Sequence, residues 1–498
     1  MLIWFVALYL LASIAIGLFA ATRVHNAKDF AVAGRSLPLP VVTATVFATW
    51  FGAEAVFGVS ATFVKEGLRG VVADPFGASL CLVIAGIFYG TKIYKLNVLT
   101  LGDFFRMRYN RTVEILATLC IVVSYLGWVS AQIKALGLIF NVVTDGAISQ
   151  EIGMVLGTAI VLTYTTFGGM FSVAILDFVQ MGVVMGGMLY IGHLVSGMTG
   201  GVDVVINHAV AAGKLDFFPS GNWVEWLAFL AAWMTMMLGS IPQQDVFQRV
   251  TSAKSARVAI YASILGGVLY FCFTFVPMFI AYSATLIDPA KFNELIATDS
   301  QLVLPALVLQ HTPLFAQAIF FGAVLAAIMA CSSATLLAPS VSFSENILRN
   351  IYPNVNDRGL LRMMRITMVC FACLVLAFAL TTQSSIFKMV ENAYKITLAG
   401  AFVPLFFGAY WPRATTQGAL AALVGGVGSW LLIEILIGSA SLVPPQLIGL
   451  GVSMLGMVAG SLLPPWIGRP TPHANIHQAL HHRAAAETHH QPERPHRH

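Results

Sequence analysis

Carboxylates set inside apolar runs are the residues of this chain most able to do chemistry. Glu54 closes the stretch ATWFGAE, and Asp177 sits in FSVAILDFVQ. A charge in hydrocarbon costs about 2.5–3.5 kcal/mol on insertion scales, so such groups face a bundle interior or a wet path and mark routes for ions, protons or solutes. A third polar group follows an interruption: Gly239, Ser240, Ile241 and Pro242 lead into Gln243, Gln244 and Asp245. Glu391 and Lys395 stand four apart with the acid first, the order that favours pairing within one helix, and are expected to neutralise each other. Lys134 and Glu434 are lone charges, and snorkelling accounts for Lys134. The cysteines, Cys81, Cys120, Cys272, Cys331, Cys370 and Cys373, all lie in apolar stretches. The single C-x-x-C has no second pair to complete a metal or redox site, so apolar buried thiols are expected. No H-E-x-x-H and no Gly-rich phosphate loop ahead of a charged helix is present, which argues against an enzyme.

The elements that hold these residues follow from composition. The chain has 498 residues, 58% hydrophobic and 10% charged, with mean hydropathy +0.82. Soluble domains carry about 25% charged residues. A soluble globule, a disordered chain and a disulfide scaffold are excluded, leaving an all-α polytopic membrane protein. A span needs about 20 apolar residues. Thirteen are read at 2–21, 40–63, 73–93, 115–140, 151–168, 173–197, 226–247, 257–284, 314–346, 363–381, 386–410, 415–437 and 443–465. The first lacks a basic n-region and a cleavage site, so it reads as a retained helix. The ninth is too long to stand upright and must tilt or run on past the membrane. Gly182 with Gly186, and Gly456 with Gly460, have the spacing that lets helices approach closely.

Charge gives the orientation. With the N-terminus outside, sixteen Lys and Arg fall on inner loops, among them Arg106, Arg249 and Arg362. The outer side carries Lys65, Arg69, Lys214, Lys291 and Lys388. The positive-inside rule then places the C-terminus in the cytoplasm. The net charge of +5 is dispersed over short loops and makes no nucleic-acid surface; the partners are lipid and small molecules. Residues 469–498 hold eight of the twelve histidines, a polar tail expected to be disordered with metal binding possible for such tracts.

Two spans are interrupted at matching places. Small residues surround Trp50, Phe51 and Gly52 in the second, and Pro242 breaks the seventh, five spans later. Proline removes a backbone donor and clashes with the preceding turn. Freed backbone groups at membrane depth are tolerated only against protein or a wet cavity. If spans two to six form one repeat and seven to eleven another, each break falls on a repeat's first helix. Paired interrupted segments point to the binding site of a transporter. A passive channel, which needs a continuous pore and selectivity rings, is the nearest rival, and a partner-dependent membrane sensor is more remote.

Five ordered stretches carry a resemblance: AGRSLP at 33–38, ATWFGAE at 48–54, TTFGGMFSVAILDFVQ at 165–180, IPQQDVFQRVTSAKS at 241–255 and GAVLAAIMACSSATLL at 322–337. Together they resemble the sodium:solute symporter family, and RNIY and MRIT bring the chain nearest its high-affinity choline branch. The resemblance implies the leucine-transporter-type fold, with inverted five-helix repeats at 40–199 and 200–410. It implies a leading helix and loop at 1–39 and two accessory helices at 411–468. It also implies alternating-access symport of a small solute with a cation, no further cofactor, and a bacterial inner membrane as location. One cation site would use carbonyls at Ala48, Phe51 and Ala327. The two hydroxyls that usually complete it would fall at Ala330 and Cys331, which supply no hard oxygen; Ser332 and Ser333 follow at once. Ser333 also matches a position that, with Asp177, serves a second sodium site in some relatives. Coupling by Na+ therefore stands beside coupling by H+ carried on Asp177. Trp50 and Trp128 match aromatic solute-site positions, Gln243 and Met389 stand where the branch has further tryptophans, and Glu54 joins them. That altered cage suits a solute with a hydrogen-bonding group: an amino acid, a carboxylate or choline.

Overall fold

The computed structural model describes residues 2–438 and 441–464. The His-rich tract, and any metal role for it, lies outside the described residues. Nearly all of the described chain is helical; a lone parallel bridge joins Leu37 to Ala253. Among the described residues, nine helices are long and apolar enough to cross a membrane, and three further pairs, each bent at a short break, raise the number to twelve. The helix Gln150–Thr199 has 50 residues. At 1.5 Å per residue it would run about 75 Å, far beyond the ~30 Å of a hydrocarbon core. It divides at Gly169, whose φ of 47° and ψ of −138° are not helical. The halves 150–168 and 170–199 correspond to the fifth and sixth spans read from the sequence, and counted separately they add one to the twelve among the described residues.

Both interruptions read from the sequence are present. The second span is Leu39–Trp50 followed by Glu54–Glu66, bent by 52°; the seventh is Trp223–Gly239 followed by Gln244–Ser252, bent by 44°. The eleventh is also broken, into Ile386–Ala399 and Phe402–Tyr410 at 46°, where the sequence reading had one straight helix. The ninth, Leu314–Phe343, runs on through a wider turn to Ile351, as its length required.

The second and ninth spans lie at the centre of the bundle. The second span packs on the eighth, Ala256–Ile287, on the sixth and on the ninth. The ninth is buried without interruption from Ala323 to Ser342. The first span lies toward the outside of the bundle, held where Ser172 Oγ donates to Gly17 O. The two last helices, Thr416–Leu436 and Pro445–Leu462, pair closely: a Cβ on Gly456 would stand 2.9 Å from Ala421 O, and one on Gly460 2.8 Å from Gly418 Cα. At Gly182 and Gly186 a Cβ would meet nothing within 4 Å. That pair is therefore no packing seam, because its helix face has no neighbour among the described residues.

Two further expectations are corrected. Glu391 pairs with Lys388 at 2.7 Å, while Lys395 reaches Glu434 at 4.0 Å; the i,i+3 partner at the helix start is nearer than the i,i+4 one. Of the cysteines, Cys81 and Cys331 are buried, Cys120 is half-buried, and Cys272, Cys370 and Cys373 lie exposed on the apolar outer surface. Lys134 donates to Thr382 O and Ser384 O at 3.1 and 2.9 Å, at the end of its span.

Candidate functional site

The second span stops at Trp50 because Phe51 leaves the helix, with φ −87° and ψ 72°. The carbonyls of a helix's last turn have no partner in a continuing helix. Only Phe47 O among them takes the Phe51 N–H, at 2.9 Å. Gly52 allows the break to press on the ninth span: a Cβ there would lie 2.7 Å from Cys331 Cβ and 2.6 Å from Gln132 Oε1.

Glu54 begins the second half of this helix and is 1% exposed. Its carboxylate accepts from Trp128 Nε1 at 2.9 Å and from Gln132 Nε2. The Cys331 thiol stands 3.9 Å from Oε1. Gln132 Oε1 in turn accepts the Ala53 N–H at 2.8 Å. The fourth span, Arg111–Val143, thus fixes the break with one amide that caps the backbone and binds the acid. No Lys or Arg pairs with Glu54 among the described residues.

Four rings close round this acid. Trp50 stacks on Tyr394 with centroids 6.2 Å apart and planes 7° from parallel, and it tilts against Trp128 at 5.4 Å. Trp128 meets Tyr394 at 5.6 Å and stacks on Tyr125 at 5.9 Å. All four are buried. Tyr394 comes from the broken eleventh span. The seventh span supplies the polar edge: Gln243 Nε2 donates to Ser124 Oγ at 2.8 Å, and the Tyr125 hydroxyl donates to Asp245. Gln243 Oε1, Ser240 Oγ, Tyr394 Oη and Asp245 Oδ2 are buried with no partner among the described residues. Met389 is buried, and its carbonyl would stand 2.7 Å from a Cβ on Gly127, next to Trp128.

The residues read as cation ligands fall on the other side of the break. Ala48, Phe51 and Ala327 are buried. Ser332 Oγ donates to Ile328 O at 2.6 Å and Ser333 Oγ to Ala330 O at 2.9 Å, bonds that leave their oxygens free to accept or ligate. Asp177, 0% exposed, accepts from the Thr45 hydroxyl, and its Oδ1 has no partner. Arg249 is buried at the base of the seventh span, bonded to Asp245 O at 3.3 Å, with Nε and Nη2 unpartnered. Among the described residues no three His, Cys, Asp or Glu side chains gather closely enough for a metal ion. Any hard cation here would depend on carbonyls, hydroxyls and single carboxylates.

Trp50, Trp128, Glu54 and Gln243 thus come together, and Cys331 touches the same cluster. Ser333 and Asp177 lie apart from it, toward Tyr164 and Thr45. Tyr125, Gln132 and Tyr394 were missed by sequence reasoning. Tyr125, Trp128 and Gln132 are spaced three and four apart, one helix face, which was the available signal.

Comparison with known proteins bears on this arrangement. The model of the sodium:solute symporter family matches residues 30–426. The chain is 27% identical over 413 residues to high-affinity choline transporter 1 of Caenorhabditis elegans, covering 80% of this chain and 70% of that one. It is 26% identical to the sodium/proline symporter of Haemophilus influenzae over 84% of this chain and 85% of that one. A Na+-coupled sialic acid symporter in a substrate-bound outward-open state superposes with TM-score 0.80 at 17% identity, over 93% and 98% of the two chains. A nucleobase-cation-symport-1 transporter in a closed conformation gives 0.57 at 14%, over 86% and 93%. These likenesses show the leucine-transporter-type fold expected from the sequence. With broken helices meeting at a buried cluster of rings and polar groups and a family match over most of its length, the chain belongs to the sodium:solute symporter family and is a membrane transporter that carries a small solute with Na+, not an enzyme.

Proposed function

We propose that the solute is a small molecule with a positively charged nitrogen, held among Trp50, Tyr125, Trp128 and Tyr394 and facing Glu54. The observation that carries this reading is the Glu54 carboxylate bound to Trp128 inside the ring cluster, with no basic side chain paired to it. Ring faces attract cations, by about 2 kcal/mol or more when desolvated, and the carboxylate adds a full charge. An anion lacking an ammonium group would meet repulsion from Glu54. The relatives named for choline and proline transport molecules with such a nitrogen. Gln243 Oε1 and Tyr394 Oη stand ready for a second polar group on the solute.

Na+ would bind between the second-span break and the ninth span, at the carbonyls of Ala48, Phe51 and Ala327. Cys331 offers only a soft sulfur there. Ser332 and Ser333 hold the nearest hydroxyls in sequence, and Asp177 with Thr45 makes a second cation position nearer the inner side. The basic inner loops give N-outside, C-inside orientation in a cell inner membrane, and the matching breaks support inverted repeats at 40–199 and 200–410.

Uptake into proteoliposomes under an inward Na+ gradient tests the reading. Choline or proline should accumulate, a simple carboxylate should not, and E54Q should abolish accumulation. Carboxylate uptake that survives E54Q would overturn it.

A further inference from the structure

Asp74 is a buried carboxylate that neither the solute chamber nor the sodium position uses. It lies at the outer start of the third span, at a point where the backbone leaves the helix (φ −139°, ψ 122°), and it is 1% exposed. The Tyr270 hydroxyl of the eighth span donates to Oδ1 at 2.5 Å. Oδ2 is buried and has no partner among the described residues.

The surroundings exclude a resident counter-charge. The eighth span presents Tyr270, the second presents Glu54, and both act electrostatically on Asp74 or its partner. Cys81 follows in the third span itself. The seventh span presents the Trp233 carbonyl, 2.8 Å from where a Gly77 Cβ would stand; its acid, Glu225, is at the far exposed end. Arg69, in the preceding turn, turns outward to Asp216 at 3.9 Å and Ser220 at 3.4 Å. Rings fill the remaining space: Phe76 against Phe271 and Phe275, and Phe51 against Tyr270.

A bare carboxylate in that setting carries the full cost of a buried charge. A hard cation would want several oxygens, and the side chains here offer one carboxylate and one phenol. A proton needs a single oxygen. Oδ2 is that oxygen, and Tyr270 fixes the other. We propose that Asp74 is a proton-binding site of this symporter, distinct from the proposed solute and sodium positions. The proposal rests on the family assignment and not on which solute is carried.

A structural acid sealed in the fold would show the same hydrogen bond, so the test must see exchange. Infrared difference spectra of wild type and D74N in lipid vesicles would isolate the carboxylic-acid carbonyl stretch. The expected result is a band present in wild type, absent in D74N, that shifts within seconds when the outside is changed to D2O. Y270F should retain the band at a shifted frequency, because the Tyr270 donor to Oδ1 is lost. Y270F also serves if D74N fails to fold. An unchanged band in D74N, no band in wild type, or a band that does not exchange would overturn the proposal. Choline and proline uptake, measured separately, would fail or succeed without altering these outcomes.

Discussion

Replacing the Trp128 indole by phenyl keeps one ring of the chamber and removes one donor from Glu54. Hydrogen bonds to charged groups contribute about 1.5–3 kcal/mol. W128F is therefore expected to raise the solute KM roughly tenfold or more while leaving the Na+ dependence in place, read from initial uptake rates. Cys331 tests the other face of the break. C331S supplies a hard oxygen beside Gly52 and should lower the Na+ concentration for half-maximal uptake about tenfold; unchanged sodium dependence would put the ion elsewhere. Glu54 was legible because a carboxylate in an apolar run stands out, whereas Trp50 and Trp128 came from the family resemblance. Tyr394 was hidden beside the charges Glu391 and Lys395, which drew attention to a pairing the fold does not use. Gln132 was hidden because an amide in a helix gives no hint that it will cap a break some 80 positions earlier.

The breaks set the geometry of the elements. A methyl on Gly52 would collide with Gln132 Oε1 and Cys331 Cβ at 2.6 and 2.7 Å, so G52A should abolish uptake in protein that still elutes as a single detergent-solubilised species. Gly169 answers to a different constraint. Its φ of +47° is costly for any side chain, and a Cβ would stand 2.5 Å from Phe30 O. G169A is expected to lower stability by about 1–3 kcal/mol, seen as a fall in the thermal midpoint and in folded yield. The breaks at 50–54 and 239–244 could be read because glycine, proline and polar residues cluster there. The one after Ala399 was also signalled, by Gly400 and by Pro404, which cannot donate to Gly400 O and crowds that turn, but a single proline in a long apolar run was read through as one span.

At the scale of the whole molecule, the bridge between Leu37 and Ala253 joins the loop before the second span to the loop after the seventh. Leu37 N–H donates to Ser252 O at 3.0 Å and Lys254 N–H to Leu37 O at 2.9 Å. Spans two and seven are five crossings apart and run in opposite directions, so this clasp ties the first helices of the two proposed repeats on one side of the membrane. Alternating access needs the halves to part there. A disulfide formed in L37C/A253C should stop uptake until reduced; uptake that continues under oxidation would show that the clasp stays shut through the cycle. The last two helices sit on the third break. A Cβ on Gly426 would fall 2.0 Å from Ala399 O, and one on Gly449 2.9 Å from Ala399 Cβ. Those helices add nothing to the chamber lining, yet they grip the joint below Tyr394, the ring that closes over Trp50. A chain shortened before Thr416 would keep every lining residue and lose the brake on that joint, so its failure should be slippage, sodium passing without its passenger, instead of silence.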